Sequence, residues 1–152
     1  MDRHLRWMEE ALKEAEKAYA EGEVPIGAVV VLNNKIIGRG HNQVENLQDA
    51  TAHAEMIAIT AAANHLSSWR LEGASLYVTL EPCPMCAGAI VHSRIQQLIF
   101  GCFDPKGGAC GSLYNVVQDS RLNHQVEIET GILADKCAAI LKEFFTSLRK
   151  AI

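Results

Sequence analysis

The sequence predicts an α/β protein, a three-layer α/β/α sandwich on a mixed, mostly parallel five-stranded sheet. Three observations carry this. Apolar residues recur at spacings of three and four in long segments, as amphipathic helices require. Short apolar, β-branched runs bounded by turn residues lie between them. The two kinds of segment alternate, so strands must be joined by helical crossovers that cover both faces of a sheet.

The elements follow in order. Residues 3–21 place Leu5, Met8, Leu12, Ala15 and Tyr19 on one helical face, and Gly22 is a stop. Ala28-Val29-Val30-Val31-Leu32 and Lys35-Ile36-Ile37-Gly38 are strands joined by Asn33-Asn34, a pair that tolerates positive φ and so predicts a two-residue hairpin. A polar segment, 41–50, leads to a helix over 52–65. Then come a strand at 75–80, a helix at 84–93, a strand at 97–101 and a glycine-rich loop at 102–111. A short helix at 112–119, a strand at 125–130 and a helix at 133–149 close the chain. In the last helix Ile140, Leu141, Phe144, Phe145 and Leu148 form one apolar stripe. No linker interrupts this series, so 1–152 is expected to be one domain.

Composition excludes several classes. A chain of 152 residues, 49% hydrophobic and 21% charged, is an ordinary globular domain. It has no run of 18 apolar residues to span a membrane. The start, Met1-Asp2-Arg3-His4-Leu5-Arg6, has no apolar segment behind it, so no secretory signal is expected and the cytoplasm is the expected location. Five cysteines is an odd count, better suited to thiols and metal ligands than to a disulfide framework. The net charge of −4 speaks against a broadly basic nucleic-acid binder. That charge is uneven: residues 1–23 carry −3 and residues 142–152 carry +2.

Two motifs carry chemistry. Thr51-Ala52-His53-Ala54-Glu55 opens one predicted helix, and Glu81-Pro82-Cys83-Pro84-Met85-Cys86 joins a strand to another. Cys83 and Cys86 share a helical face, where the helix N-terminus favours thiolates. Two thiolates and the His53 imidazole make three ligands, and no second Cys-x-x-Cys or His pair supplies a fourth. Three protein ligands with an open position are the pattern of a catalytic zinc rather than a structural one. Glu55, two residues beyond His53, suits general acid–base work beside it. A Cys-x-x-Cys alone would equally suit a thioredoxin-like redox pair; His53 and Glu55 argue against that. Cys102, Cys110 and Cys137 read as buried small hydrophobes or bystanders.

His53-x-Glu55 followed by Pro82-Cys83-x-x-Cys86 resembles the signature of the zinc-dependent nucleobase deaminases, which pair a zinc ion with a glutamate. The likeness extends over Glu23–Val29, Asp49–Glu55, Leu76–Ala89, Val91–Ile95, Asn123–Ile128 and Gly131–Asp135. Within that superfamily the chain is similar to the bacterial tRNA adenosine deaminases. The resemblance implies a cytidine-deaminase-like fold, one Zn²⁺ per chain, and conversion of wobble adenosine in a tRNA anticodon stem-loop to inosine. It implies Glu55 as proton carrier, and His53, Cys83 and Cys86 as zinc ligands. Asn42 and the Ala54 N–H would hold the base edge, and Val24, Leu80 and Pro82 would wall its pocket. Asp104, Lys106, Phe145 and Arg149 would meet RNA. Without the resemblance Asn42 is a turn residue, Phe145 belongs to an apolar stripe and Arg149 is a solvated terminal charge. A homodimer is implied too, with the helix over 84–93 offering apolar surface, and no membrane. The competing readings are a free-base or nucleoside deaminase of guanine or cytidine type, and a zinc-stabilised binding domain. Glu55 argues against the last, which has no use for an acid beside an open metal position. An enzyme that flips one base from a small loop needs few phosphate contacts, so the negative charge is compatible with it.

Overall fold

The computed structural model describes residues 2–151. Five helices, α1 (Asp2–Ala20), α2 (Val44–Leu47), α3 (Ala54–Leu66), α4 (Pro84–His92) and α5 (Ala134–Lys150), accompany five strands. The strands are β1 (Gly27–Leu32), β2 (Lys35–His41), β3 (Ser75–Leu80), β4 (Gln97–Cys102) and β5 (Glu127–Thr130). They form one sheet in the order β2-β1-β3-β4-β5. β1 is antiparallel to β2 and β3, while β3·β4 and β4·β5 are parallel. Four strands therefore run one way and β1 alone runs against them, because the hairpin turns it back. Asn33 and Asn34 adopt φ of 52° and 61°, the turn that matches strand twist.

Alternation along the strands builds two cores. Ala28 and Val30, with Leu76, Val78, Leu98 and Phe100, face α3 and α4. Val29 and Val31, with Tyr77 and Ile99, face Trp7, Met8 and Ala11 of α1 and Cys137 of α5. Both faces are covered, which is the expected three-layer sandwich.

The differences from expectation have local causes. β2 runs on to His41 rather than stopping at Gly38. Gly38 and Gly40 are not breakers here. A Cβ on Gly38 would lie 2.7 Å from the Ala62 nitrogen, and one on Gly40 2.7 Å from the Ala58 nitrogen. The missing side chains let β2 press against the Ala54, Ala58 and Ala62 face of α3. The polar segment 41–50 contains α2, a single turn. The expected helix over 112–119 is absent: Cys110 bridges to Asn115, and only Val116–Gln118 forms a 3₁₀ turn. The Val116 N–H, which a helix would direct to the Ser112 carbonyl, bonds instead to that of Ala109 at 2.9 Å. In α5 the buried stripe is Cys137 and Phe144, with Ile140 beside them, whereas Phe145 is 41% and Leu148 50% exposed. Among the described residues no helix is long and apolar enough to cross a membrane.

Candidate functional site

His53 is the N-cap of α3 and Cys83 the N-cap of α4, with Pro84 in the first turn of α4 where no N–H is needed. Both helix starts sit at the ends of strands that run the same way, the edge where open α/β sheets bind ligands. There the two motifs meet. His53 Nδ1 lies 3.5 Å from Cys83 Sγ and 3.5 Å from Cys86 Sγ. The ligand atoms of the three residues all lie within 4.8 Å of one another, with Cys86 buried and the other two half-buried. Among the described residues this is the one His/Cys/Asp/Glu group of three or more arranged to hold a metal ion.

The electrostatics fit a set of ligands awaiting a cation. The Cys83 thiol is pulled down to about 4, first by its hydrogen bond with Cys86 and then by His53. The Cys86 thiol is pushed up by sharing that bond with Cys83 and by burial. His53 is raised, chiefly through its hydrogen bond to Cys83. Glu55 is 4% exposed, and burial pushes its carboxyl up to about 7. The charge on Cys83 adds to that rise, while the backbone N–H of Glu55 and the His53 ring oppose it. A carboxyl so placed can take and return a proton near neutrality.

A cavity of about 150 Å³ adjoins His53, lined also by Val24, Ile26, Asn42, Val44 and Ala54. Its walls are almost wholly apolar, and it is small beside sites for drug-sized ligands, as suits one planar ring system. Asn42 is buried, with its amide fixed at both ends: Nδ2 donates to the Val24 carbonyl at 3.2 Å and Oδ1 accepts from the Val44 N–H at 3.3 Å. Ala54 is the first residue of α3, where N–H groups have no partner within the helix, and His53 makes no side-chain cap. A larger groove, of about 520 Å³, lies between α1 and α5 in the other layer.

Of the remaining residues singled out from the sequence, Leu80 ends β3 half-buried, and Pro82 is buried, its carbonyl accepting from the Ala109 N–H at 2.8 Å. Asp104 Oδ1 accepts from the N–H groups of Lys106 and Gly107, each at 3.1 Å, so it also shapes its own turn, and Lys106 is exposed. Phe145 and Arg149 do not line the cavity. They stand on α5, which runs alongside α1 in the same direction, since Lys136 meets Glu9 at 3.0 Å and Tyr19 meets Glu143 at 3.4 Å. The end of α1 leads through Gly22 to Val24, so the last turns of α5 stand at the cavity end of the sheet. Phe145 packs edge-on against Phe144, 5.4 Å between centroids, and leaves much of its ring to solvent.

Four residues escaped the sequence reading. Ile26 and Val44 are cavity walls, although the sequence offers Ile26 only as a residue ahead of the first strand and Val44 only as part of the polar segment 41–50. Glu23 is 1% exposed, and its carboxylate caps α2 by accepting from the N–H groups of Glu45 at 3.0 Å and Asn46 at 2.6 Å. Glu81 is buried and accepts from backbone N–H groups of Asp104, Cys110 and Ser112. Burial pushes its carboxyl up, but these bonds and the Ser112 hydroxyl outweigh it and hold it below the usual range.

The comparisons with known proteins agree with one another. A family model described as MafB19-like deaminase matches residues 2–149. A tRNA-specific adenosine deaminase of Bacillus subtilis (strain 168) is 57% identical over 95% of this chain and 89% of its own. One of Aquifex aeolicus (strain VF5) is 48% identical over 93% of each. A solved structure from a study of A-to-I editing by tRNA:A34 deaminases at the wobble position superposes with a TM-score of 0.86. It is 45% identical, over 89% of this chain and 98% of that one.

Proposed function

Since the chain belongs to the MafB19-like deaminases, and with its 57% and 48% identical relatives to the tRNA-specific adenosine deaminases, we propose that it converts adenosine to inosine at wobble position 34 of a tRNA anticodon, releasing ammonia. The observation that carries this is the meeting of His53, Cys83 and Cys86 beside a small apolar cavity, with a buried acid two residues along the chain.

The donor set fits zinc. A tetrahedral ion with Zn–S of about 2.3 Å and Zn–N of about 2.0–2.1 Å separates its N and S ligands by roughly 3.6 Å. The two N···S distances here are 3.5 Å. Two thiolates with one imidazole are ligands that zinc accepts. Held by His53, Cys83 and Cys86, zinc supplies the Lewis acidity that lowers the pKa of water to roughly 7.

The chain's own residues do the rest. Glu55 moves the protons: as a carboxylate it takes one from the attacking water and donates it to N1 of the purine ring, then takes the proton of the hydroxyl now on C6 and passes it to the leaving amine, so that the C6–N bond breaks as the C6 carbonyl forms and ammonia departs. Its burial keeps bulk water from competing for that proton. The fixed amide of Asn42 and the free N–H of Ala54 grip the edge of the flipped base. Val24, Ile26 and Val44 close the walls, whereas Leu80 and Pro82, expected to share that role, are not among the residues lining this cavity. Asp104 and Lys106 on the loop after β4, and Phe145 and Arg149 on α5, are the RNA contacts in this reading, through stacking and phosphate.

The same reading covers a single deaminase domain over 1–152, working in the cytoplasm as a homodimer across the exposed side of α4. Light scattering at micromolar concentration gives twice the chain mass if the dimer is right and the chain mass if it is not. The activity itself is tested by incubating purified tRNA with the protein and sequencing the anticodon. Inosine read as guanosine at position 34 supports the proposal, and an unaltered adenosine overturns it.

A further inference from the structure

We propose that Glu81 is a positioning residue of this site, holding the loop after β4 in the shape that presents Asp104 and Lys106 to substrate. The inference rests on the reading above that this loop meets RNA.

Glu81 lies between the last residue of β3, Leu80, and the Pro82-Cys83 corner. Its Oε1 accepts from the Asp104 N–H at 2.9 Å and from the Ser112 hydroxyl. Its Oε2 accepts from the N–H groups of Cys110 at 3.1 Å and Ser112 at 2.9 Å. The donors come from both ends of a single loop, residues 104–112. Two backbone bonds reinforce the clamp, from Glu81 N–H to the Cys102 carbonyl at 2.9 Å and from Ala109 N–H to the Pro82 carbonyl at 2.8 Å. Gly108 must lack a side chain, because a Cβ there would collide with the Glu81 carboxyl group.

A buried carboxylate is costly, and packing alone would favour an apolar side chain of the same size. What the charge adds is directional: one acceptor pair fixes three N–H groups, at Asp104, Cys110 and Ser112, that an apolar side chain would leave without this partner. Asp104 is thereby fixed at its backbone, and its side chain then orders Lys106 and Gly107. The corner that carries the metal ligand Cys83 and the loop that carries Asp104 and Lys106 share this carboxylate as their hinge pin.

The test compares the zinc-loaded wild-type protein with Glu81→Gln, and with Ser112→Ala as a milder second variant that removes only a hydroxyl donor. Glutamine keeps the shape but replaces one acceptor by a donor that faces N–H groups. The readouts are kcat and KM on an anticodon stem-loop RNA with wobble adenosine, zinc content, and amide hydrogen exchange across 104–112. The expected result is a KM raised about tenfold or more while kcat falls far less, zinc retained, and faster exchange confined to that loop. An unchanged KM, or loss of zinc with kcat falling and KM constant, overturns the proposal. If the wild-type protein leaves the RNA unedited, the reading of function fails by itself, and hydrogen exchange alone decides whether Glu81 holds the loop. Should Glu81→Gln fail to fold, Ser112→Ala decides by the same readouts, with a smaller shift.

Discussion

His53 Nδ1 lies 3.5 Å from the Sγ of Cys83, a residue 30 positions further along the chain. At this contact the start of α3 meets the start of α4, and the site depends on it. Replacing His53 with alanine removes the sole nitrogen donor of the cluster. The expected outcome is a folded protein that no longer retains stoichiometric zinc after dialysis, measured by atomic absorption, and that gains no activity when zinc is added at trace levels. Full zinc retention by this variant would show that the metal sits elsewhere.

Glu55→Gln separates proton transfer from metal binding. The amide matches the carboxyl in shape but carries no transferable proton, so turnover on the RNA substrate should fall by about 10²–10⁴-fold. Zinc content and unfolding midpoint should stay near those of the wild type. Single-turnover kinetics with metal analysis on the same sample checks both halves.

Gly40→Ala tests the close approach of β2 and α3. The added Cβ would sit 2.7 Å from the Ala58 nitrogen and 3.0 Å from Ile57 Cβ, and it would meet the Ala54 carbonyl. The two nearest, the Ala54 carbonyl and the Ala58 nitrogen, are backbone atoms that cannot swing away, so the cost should be about 1–3 kcal/mol or more by denaturant unfolding. Ala54 and His53 begin the same helix, so activity should fall with stability. Gly22→Ala is the control: a Cβ there meets nothing within 4 Å, and its cost comes only from its φ of 79°.

Acid should weaken the fold through His4. This buried imidazole lies 2.7 Å from the Tyr77 hydroxyl, and burial, then Arg3, lower its pKa below 6.5 while Glu129 pulls the other way. The unfolded chain takes up a proton that the native state resists. The contribution to stability is therefore complete above pH 6.5 and is lost as pH falls through and below it. One such group sets a slope of at most about 1.4 kcal/mol per pH unit. Denaturant unfolding between pH 8 and 5 should give a flatter profile for His4→Gln than for the wild type, and equal slopes would remove His4 from the account.

What could be read from the sequence was what is local. The Asn33-Asn34 turn, the apolar alternation of β1 and the two motifs each declare themselves within a few residues. The strand expected to end at Gly38 runs on, because Gly38 and Gly40 answer to a helix that begins 14 residues after Gly40. What the Glu23 and Glu81 carboxylates hold is not legible in sequence, because their partners are backbone N–H groups 22 to 31 positions away and no side-chain pattern records them. The helix expected over 112–119 fails because Cys110 bridges to Asn115 and the Val116 N–H goes to the Ala109 carbonyl rather than to that of Ser112. Phe144 and Phe145 are adjacent and both aromatic, and only packing against Tyr19 tells which one is buried.

The most direct measurement is the ratio of kcat/KM for one zinc-loaded preparation on an anticodon stem-loop RNA with wobble adenosine against free adenosine, guanine and cytidine, followed as ammonia release and as inosine in the RNA. The account predicts inosine at the wobble position, with the free compounds deaminated orders of magnitude more slowly. Efficient release of ammonia from a free base or nucleoside, with the RNA left unaltered, would contradict it.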